Sequence, residues 1–137
     1  MSRTKPSKRN NIGCRAGAAA VELAVCLPVI LLLVFCSLEG TNKIYLRQCA
    51  VESAYETART FAKSGDEVKA VTVGTQVLNA RNITKFQIRF SPNNISALNT
   101  GDPFKVSISI PGSERSTVDI APFKKMTIVA EASMLKE

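Results

Sequence analysis

The fold class expected from the sequence is α+β. A long N-terminal helix crosses a membrane and continues as an amphipathic helix, and a short helix and a small antiparallel β-sheet follow. Three observations carry this expectation. Residues 17–38, GAAAVELAVCLPVILLLVFCSL, are apolar with one charge, Glu22. From Thr41 to Ser64 the apolar residues recur every three, four or seven positions, the period of a helix with one buried stripe. Beyond Lys85 the period falls to two, the pattern of half-buried strands.

Ahead of the apolar run stands MSRTKPSKRNNIGCRA, polar and basic, with Pro6 and Gly13 discouraging regular structure. It carries Arg3, Lys5, Lys8, Arg9 and Arg15 and no acid, so five of the 18 basic residues lie here and 13 remain against 11 acids. The net charge of +7 is therefore mostly a property of the tail. A cation cluster abutting a membrane helix orients it with the tail in the cytoplasm, which leaves no need for nucleic acid as a partner. The organisation expected is a basic leader (1–17), a transmembrane or assembly helix (18–38) and an extracytoplasmic α+β domain (39–137), in a single-pass protein of the inner membrane. No small-residue cleavage pattern follows Leu38, where the chain reads Glu39-Gly40-Thr41-Asn42-Lys43. The small residues Gly17-Ala18-Ala19-Ala20 lie before the run instead, which suggests processing there and retention of the helix.

About 20 apolar residues suffice to cross the hydrocarbon core. A carboxylate near the bilayer centre costs about 2.5–3.5 kcal/mol or more, so Glu22 points to a function and requires a partner. It lies close to the basic flank, where the cost is somewhat lower. Pro28 removes the amide that would bond to the Ala24 carbonyl and is expected to kink the helix. Cys26 and Cys36 lie inside the run, about 15 Å apart along a helix axis, beyond disulfide reach. They read as small apolar packing residues, and Cys49 as a free thiol or an intermolecular link.

The helix is expected to continue through Gly40 to Ser64, about 70 Å from Ala18. Its buried stripe is assigned to Ile44, Val51, Tyr55, Ala58 and Ala62. Lys43, Arg47, Glu52, Glu56, Arg59 and Lys63 fall on the wet face. Gly65 suits the position just past a helix end. Asp66 suits the N-cap of a second helix reaching about Ala80, with Val68, Val71, Thr75 and Leu78 inward. Three strands follow, with Phe86, Ile88 and Phe90, then Phe104, Val106, Ile108 and Ile110, then Met126, Ile128, Ala130, Ala132 and Met134 toward the core. The segments Ser91–Pro103 and Pro111–Pro122 are loops by composition, the second with room for a short strand at Thr117–Ile120. Asn82-Ile83-Thr84 and Asn94-Ile95-Ser96 match the glycosylation sequon and are read as chance matches.

The chain has no histidine, no Gly-rich phosphate loop, no cysteine pair at redox spacing and no nucleophile elbow. Catalysis, a metal and a cofactor are accordingly not expected. The one constellation is linear: basic tail, Gly17, small residues, Glu22, apolar helix, Pro28. The stretch Arg15-Ala-Gly17-Ala-Ala-Ala-Val-Glu22-Leu-Ala-Val-Cys-Leu-Pro28 resembles the N-terminus of TadE-like proteins, minor pilins or pseudopilins of the tight-adherence (Tad/Flp) branch of type IV pili. The resemblance implies a pilin-like fold and cleavage by a prepilin peptidase after Gly17, which makes Ala18 the first mature residue. It further implies an assembly role for Glu22, with other pilins and pilus-assembly proteins as partners, and a part in surface attachment. The alternative is an uncleaved, signal-anchored extracytoplasmic binding domain.

Overall fold

The computed structural model describes residues 12–93, 95–116 and 126–137. Side chains are described from Gly17 onward, apart from that of residue 96. Most of the leader, the sequon at Asn94 and the expected strand at Thr117–Ile120 lie outside the described residues. The elements in order are α1 (Ile12–Ser64), α2 (Glu67–Ala80), β1 (Gln87–Ser91), β2 (Pro103–Pro111) and β3 (Thr127–Leu135). Single 3-10 turns occur at Ile95–Ala97 and Gly112–Arg115, inside the two expected loops. The α+β class is as expected. The chain divides into two units between Ser37 and Leu38.

In the first unit α1 is one unbroken helix, and every side chain from Gly17 to Ser37 is exposed. It is long and apolar enough to cross a membrane. The helix runs through Pro28 and on through Gly40 into the second unit.

In the second unit α1 ends at Ser64 for identifiable reasons. Gly65 takes φ 64°, and its amide donates to the Phe61 carbonyl at 2.8 Å, closing the last turn. The Asp66 carboxylate then accepts from the Val68 and Lys69 amides at 3.0 and 3.3 Å, capping α2. Past α2, Asn82 adopts φ 57°, a left-handed turn that Asn tolerates well. That turn is a backbone reason for the residue, independent of any sequon.

The sheet is an antiparallel meander in the order β1-β2-β3. Its register sets Phe90 beside Val106 and Ile88 beside Ile108. On the other side it sets Ile108 beside Ala130 and Ile110 beside Ile128. The strand faces are those the alternation indicates, with Phe104, Val106, Ile108 and Ile110 fully buried. Phe61 of α1 enters this face, with ring centroids 4.9 Å from Phe104 in a T-shaped contact and 5.5 Å from Phe90.

The helix faces differ from expectation. Ile44, Val51 and Tyr55 are exposed, and only Ala58 and Ala62 of the assigned stripe are buried. The buried face of α1 is Leu46, Cys49, Ala50, Ser53, Ala54, Thr57, Ala58, Phe61 and Ala62. In α2 Leu78 is buried as expected, but Val68 is exposed, and Ala70 and Gly74 are buried instead. The cause is close packing. A Cβ on Gly74 would stand 2.1 Å from Thr57 Oγ1 and 3.3 Å from Ser53 Oγ, so the helices meet where neither has bulk. The hydroxyls that this buries are satisfied, Ser53 donating to the Gly74 carbonyl at 2.9 Å and Thr57 to the Ser53 carbonyl at 2.7 Å. Met126, expected inside, lies ahead of β3 and is exposed. Ile83 and Ile95, in segments without periodicity, are buried.

Candidate functional site

The residues singled out at the N-terminus all lie on α1 within the first unit. Gly17 and Ala18 sit inside the helix, which begins five residues earlier at Ile12. A Cβ on Gly17 would meet no atom within 4 Å, so this glycine is not explained by crowding. Glu22 lies four residues after Ala18 on the same helix face, about 6 Å along the axis. Its carboxylate is exposed and makes no ion pair among the described residues. Pro28 lies six residues further on. The helix therefore aligns a small-residue segment, one carboxylate and a long apolar, exposed surface.

Cys26 and Cys36 are free thiols on this exposed surface, whereas Cys49 is a buried core residue. Among the described residues no cluster of His, Cys, Asp or Glu could hold a metal ion.

At the start of the second unit a polar contact appears that sequence reasoning missed. Glu39 is 2% exposed and pairs with Lys43 at 2.9 Å. Ser116 Oγ donates to Glu39 Oε1 at 2.9 Å, and Lys43 Nζ donates to the Gly112 carbonyl. The four residues hold the Gly112–Arg115 turn against the first turns of α1 in this unit. Leaving either charge of a buried pair unpartnered costs about 3–5 kcal/mol, so the pair sets the register of the turn on the helix. The available signal was an acid four residues before a base, a common surface pattern, and nothing local distinguishes the buried case.

A second acid serves the same turn from the other side. Glu114 accepts from the Thr84 amide and hydroxyl at 2.7 and 2.8 Å and from the Lys85 amide at 3.2 Å. Partial burial pushes its pKa up, but the donors from Thr84 and Lys85 outweigh this and hold it below the ordinary carboxylate value.

No curated protein and no solved structure matches the chain. One family model does, described as TadE-like protein, over residues 17–59. The matched stretch begins at Gly17, takes in Ala18, Glu22 and Pro28, and continues along α1 into the second unit. Over that stretch, and not over the strands that follow, the chain is similar to TadE-like proteins.

Proposed function

We propose that the chain is a minor pilin or pseudopilin, a structural and assembly component of a Tad pilus that contributes to surface attachment. The observation that supports this reading is the coincidence of the family match with an apolar helix whose side chains from Gly17 to Leu38 are all exposed. The helix would sit in the inner membrane with the basic tail in the cytoplasm and the residues from 39 onward outside.

In this reading a prepilin peptidase cuts between Gly17 and Ala18. That bond lies in a helix, so the local turn must open before a protease can hold it extended. Gly17 eases the opening, since glycine costs a helix about 1 kcal/mol relative to alanine. Cleavage removes the five leader cations and creates an ammonium at Ala18, one turn from the Glu22 carboxylate. Pairing of the two, within a subunit or between neighbours, reduces the desolvation cost of each. Ala18, Ala19, Ala20 and Ala24 allow neighbouring helices to approach closely. Pro28 marks the point where the helix bends in the assembly.

The test has two parts. In cells with a matching prepilin peptidase, intact mass should give a mature chain beginning at Ala18. Glu22→Ala should insert and be processed but fail to co-purify with the other pilus components, and Glu22→Gln should fail less completely. An uncleaved chain together with normal assembly of both variants would instead favour the signal-anchored binding domain.

A further inference from the structure

The face of α1 that was expected to be buried lies open. Ile44, Val51 and Tyr55 are 62%, 50% and 51% exposed, and they stand in one row along the helix. Met126 and Val129 lie beside the same row, also half exposed. The row forms one side of two shallow cavities of about 490 and 460 Å³, which share Ile44 and Arg47. Apolar surface this continuous marks an interaction site more often than chance exposure.

The spacing identifies the kind of partner. Over residues 41–55 the open face reads as a heptad seam. Thr41, Gln48 and Tyr55 take the a positions and Ile44 and Val51 the d positions, over about 22 Å of helix. Such a seam accepts another helix. The charges beside it select which one. Arg47 falls at a g position and Glu52 at the following e position, on opposite flanks of the seam. Arg47 is exposed and makes no ion pair among the described residues. Glu52 already holds Arg81 at 2.6 Å through Oε2, and a carboxylate accepts from a second donor readily. In a parallel pair of helices g faces the e′ position five residues on, so Arg47 of each copy meets Glu52 of the other. In an antiparallel pair the flank of Arg47 faces its own counterpart, where Gly40 and Ala54 offer no acid.

We infer that residues 41–55 of α1 form a parallel, in-register homodimer seam, with a second copy of this chain as occupant and reciprocal Arg47–Glu52 pairs fixing its direction. Arg47 and Glu52 are five apart and do not pair within one helix, so the interaction exists only between copies. The inference does not depend on whether the chain enters a pilus.

The test uses the full chain in detergent micelles, with mass measured by sedimentation equilibrium and folding checked by circular dichroism. The unmodified chain should be dimeric. Arg47→Glu and Glu52→Arg should each weaken association at least tenfold, and the double swap should restore it. In a chain with Cys14, Cys26 and Cys36 changed to Ser, Ile44→Cys should give a disulfide-linked dimer on oxidation and Glu56→Cys, off the seam, should not. A monomeric unmodified chain would overturn the inference, as would a dimer indifferent to both single swaps, which associates through another surface. Loss without rescue in the double swap would equally overturn it, because Arg47 and Glu52 would then not be partners across the seam.

Discussion

The two units of the chain use one helix in opposite ways. From Gly17 to Leu38, α1 carries Val, Leu, Ile and Phe on every side, and all of them are exposed. From Leu46 to Ala62 its buried face is mostly Ala, Ser, Thr and Cys. A helix that crosses a membrane must present bulk and apolarity on every side, because lipid is its solvent. Where α2 and the sheet cover it, bulk is what they exclude, and burial goes to residues small enough to let backbones approach. Side-chain size alone thus misleads within the second unit, where Ile44 and Val51 of α1 face outward while Ala50, Ala54 and Ala58 are buried.

This contrast can be broken most severely at the one large aromatic of the buried face. Phe61→Ala should destabilise the second unit by about 3–5 kcal/mol, since it removes both ring contacts and leaves a cavity. Urea unfolding of the full chain in mild detergent, followed by circular dichroism, measures the loss. A loss below about 1 kcal/mol would mean that Phe61 is not the centre of the core.

Two glycines on helices sharpen the comparison, because the same substitution should act with opposite sign. Gly74→Ala places a Cβ 2.1 Å from Thr57 Oγ1 and should cost about 1–3 kcal/mol, despite alanine's better helix propensity. Gly40→Ala meets no atom within 4 Å and should stabilise the helix by about 0.5–1 kcal/mol. The same unfolding measurement decides both, and equal signs would show that propensity rather than packing governs Gly74.

On the open face, Ile44→Ala should change the folding stability of the monomeric chain by less than about 0.5 kcal/mol. A loss of 2 kcal/mol or more, the range for a truncated buried aliphatic, would restore the buried stripe that periodicity alone suggested.

The smallest effect concerns Glu114. Its folded pKa lies below its unfolded value, so its contribution to stability is present above the ordinary carboxylate pKa and is lost as pH falls through the folded one. Chemical-denaturation midpoints taken from pH 6 down to pH 3, a range on the scale of carboxylate titration, should therefore fall less steeply for Glu114→Gln than for the unmodified chain. Parallel acid limbs would show that the Thr84 and Lys85 donors do not favour the ionised form.

Much of this protein was legible from residue order. A run of apolar residues with one carboxylate needs no tertiary context to be a candidate span. Asp66 and Gly65 punctuate the two helices through contacts within a turn or two. The strand faces follow from strict alternation, because a sheet with one covered side leaves each residue only two choices. The N-terminal pattern around Gly17, Glu22 and Pro28 is linear and is matched by the family over residues 17–59.

What only the tertiary structure decided is which side of each helix is inside. A helix offers a continuous circle of directions, and the choice among them belongs to the neighbour. Here the neighbour is Gly74 on one side and the Phe61-filled sheet on the other, and together they turn Ala50, Ser53, Ala54 and Thr57 inward and leave Ile44, Val51 and Tyr55 out. The burial of Glu39 with Lys43 is of the same kind, since the Gly112 carbonyl and the Ser116 hydroxyl that make it tolerable come from about 70 residues away. Local chemistry set the elements and their ends. Long-range packing set their faces, because burial depends on what arrives from elsewhere in the chain.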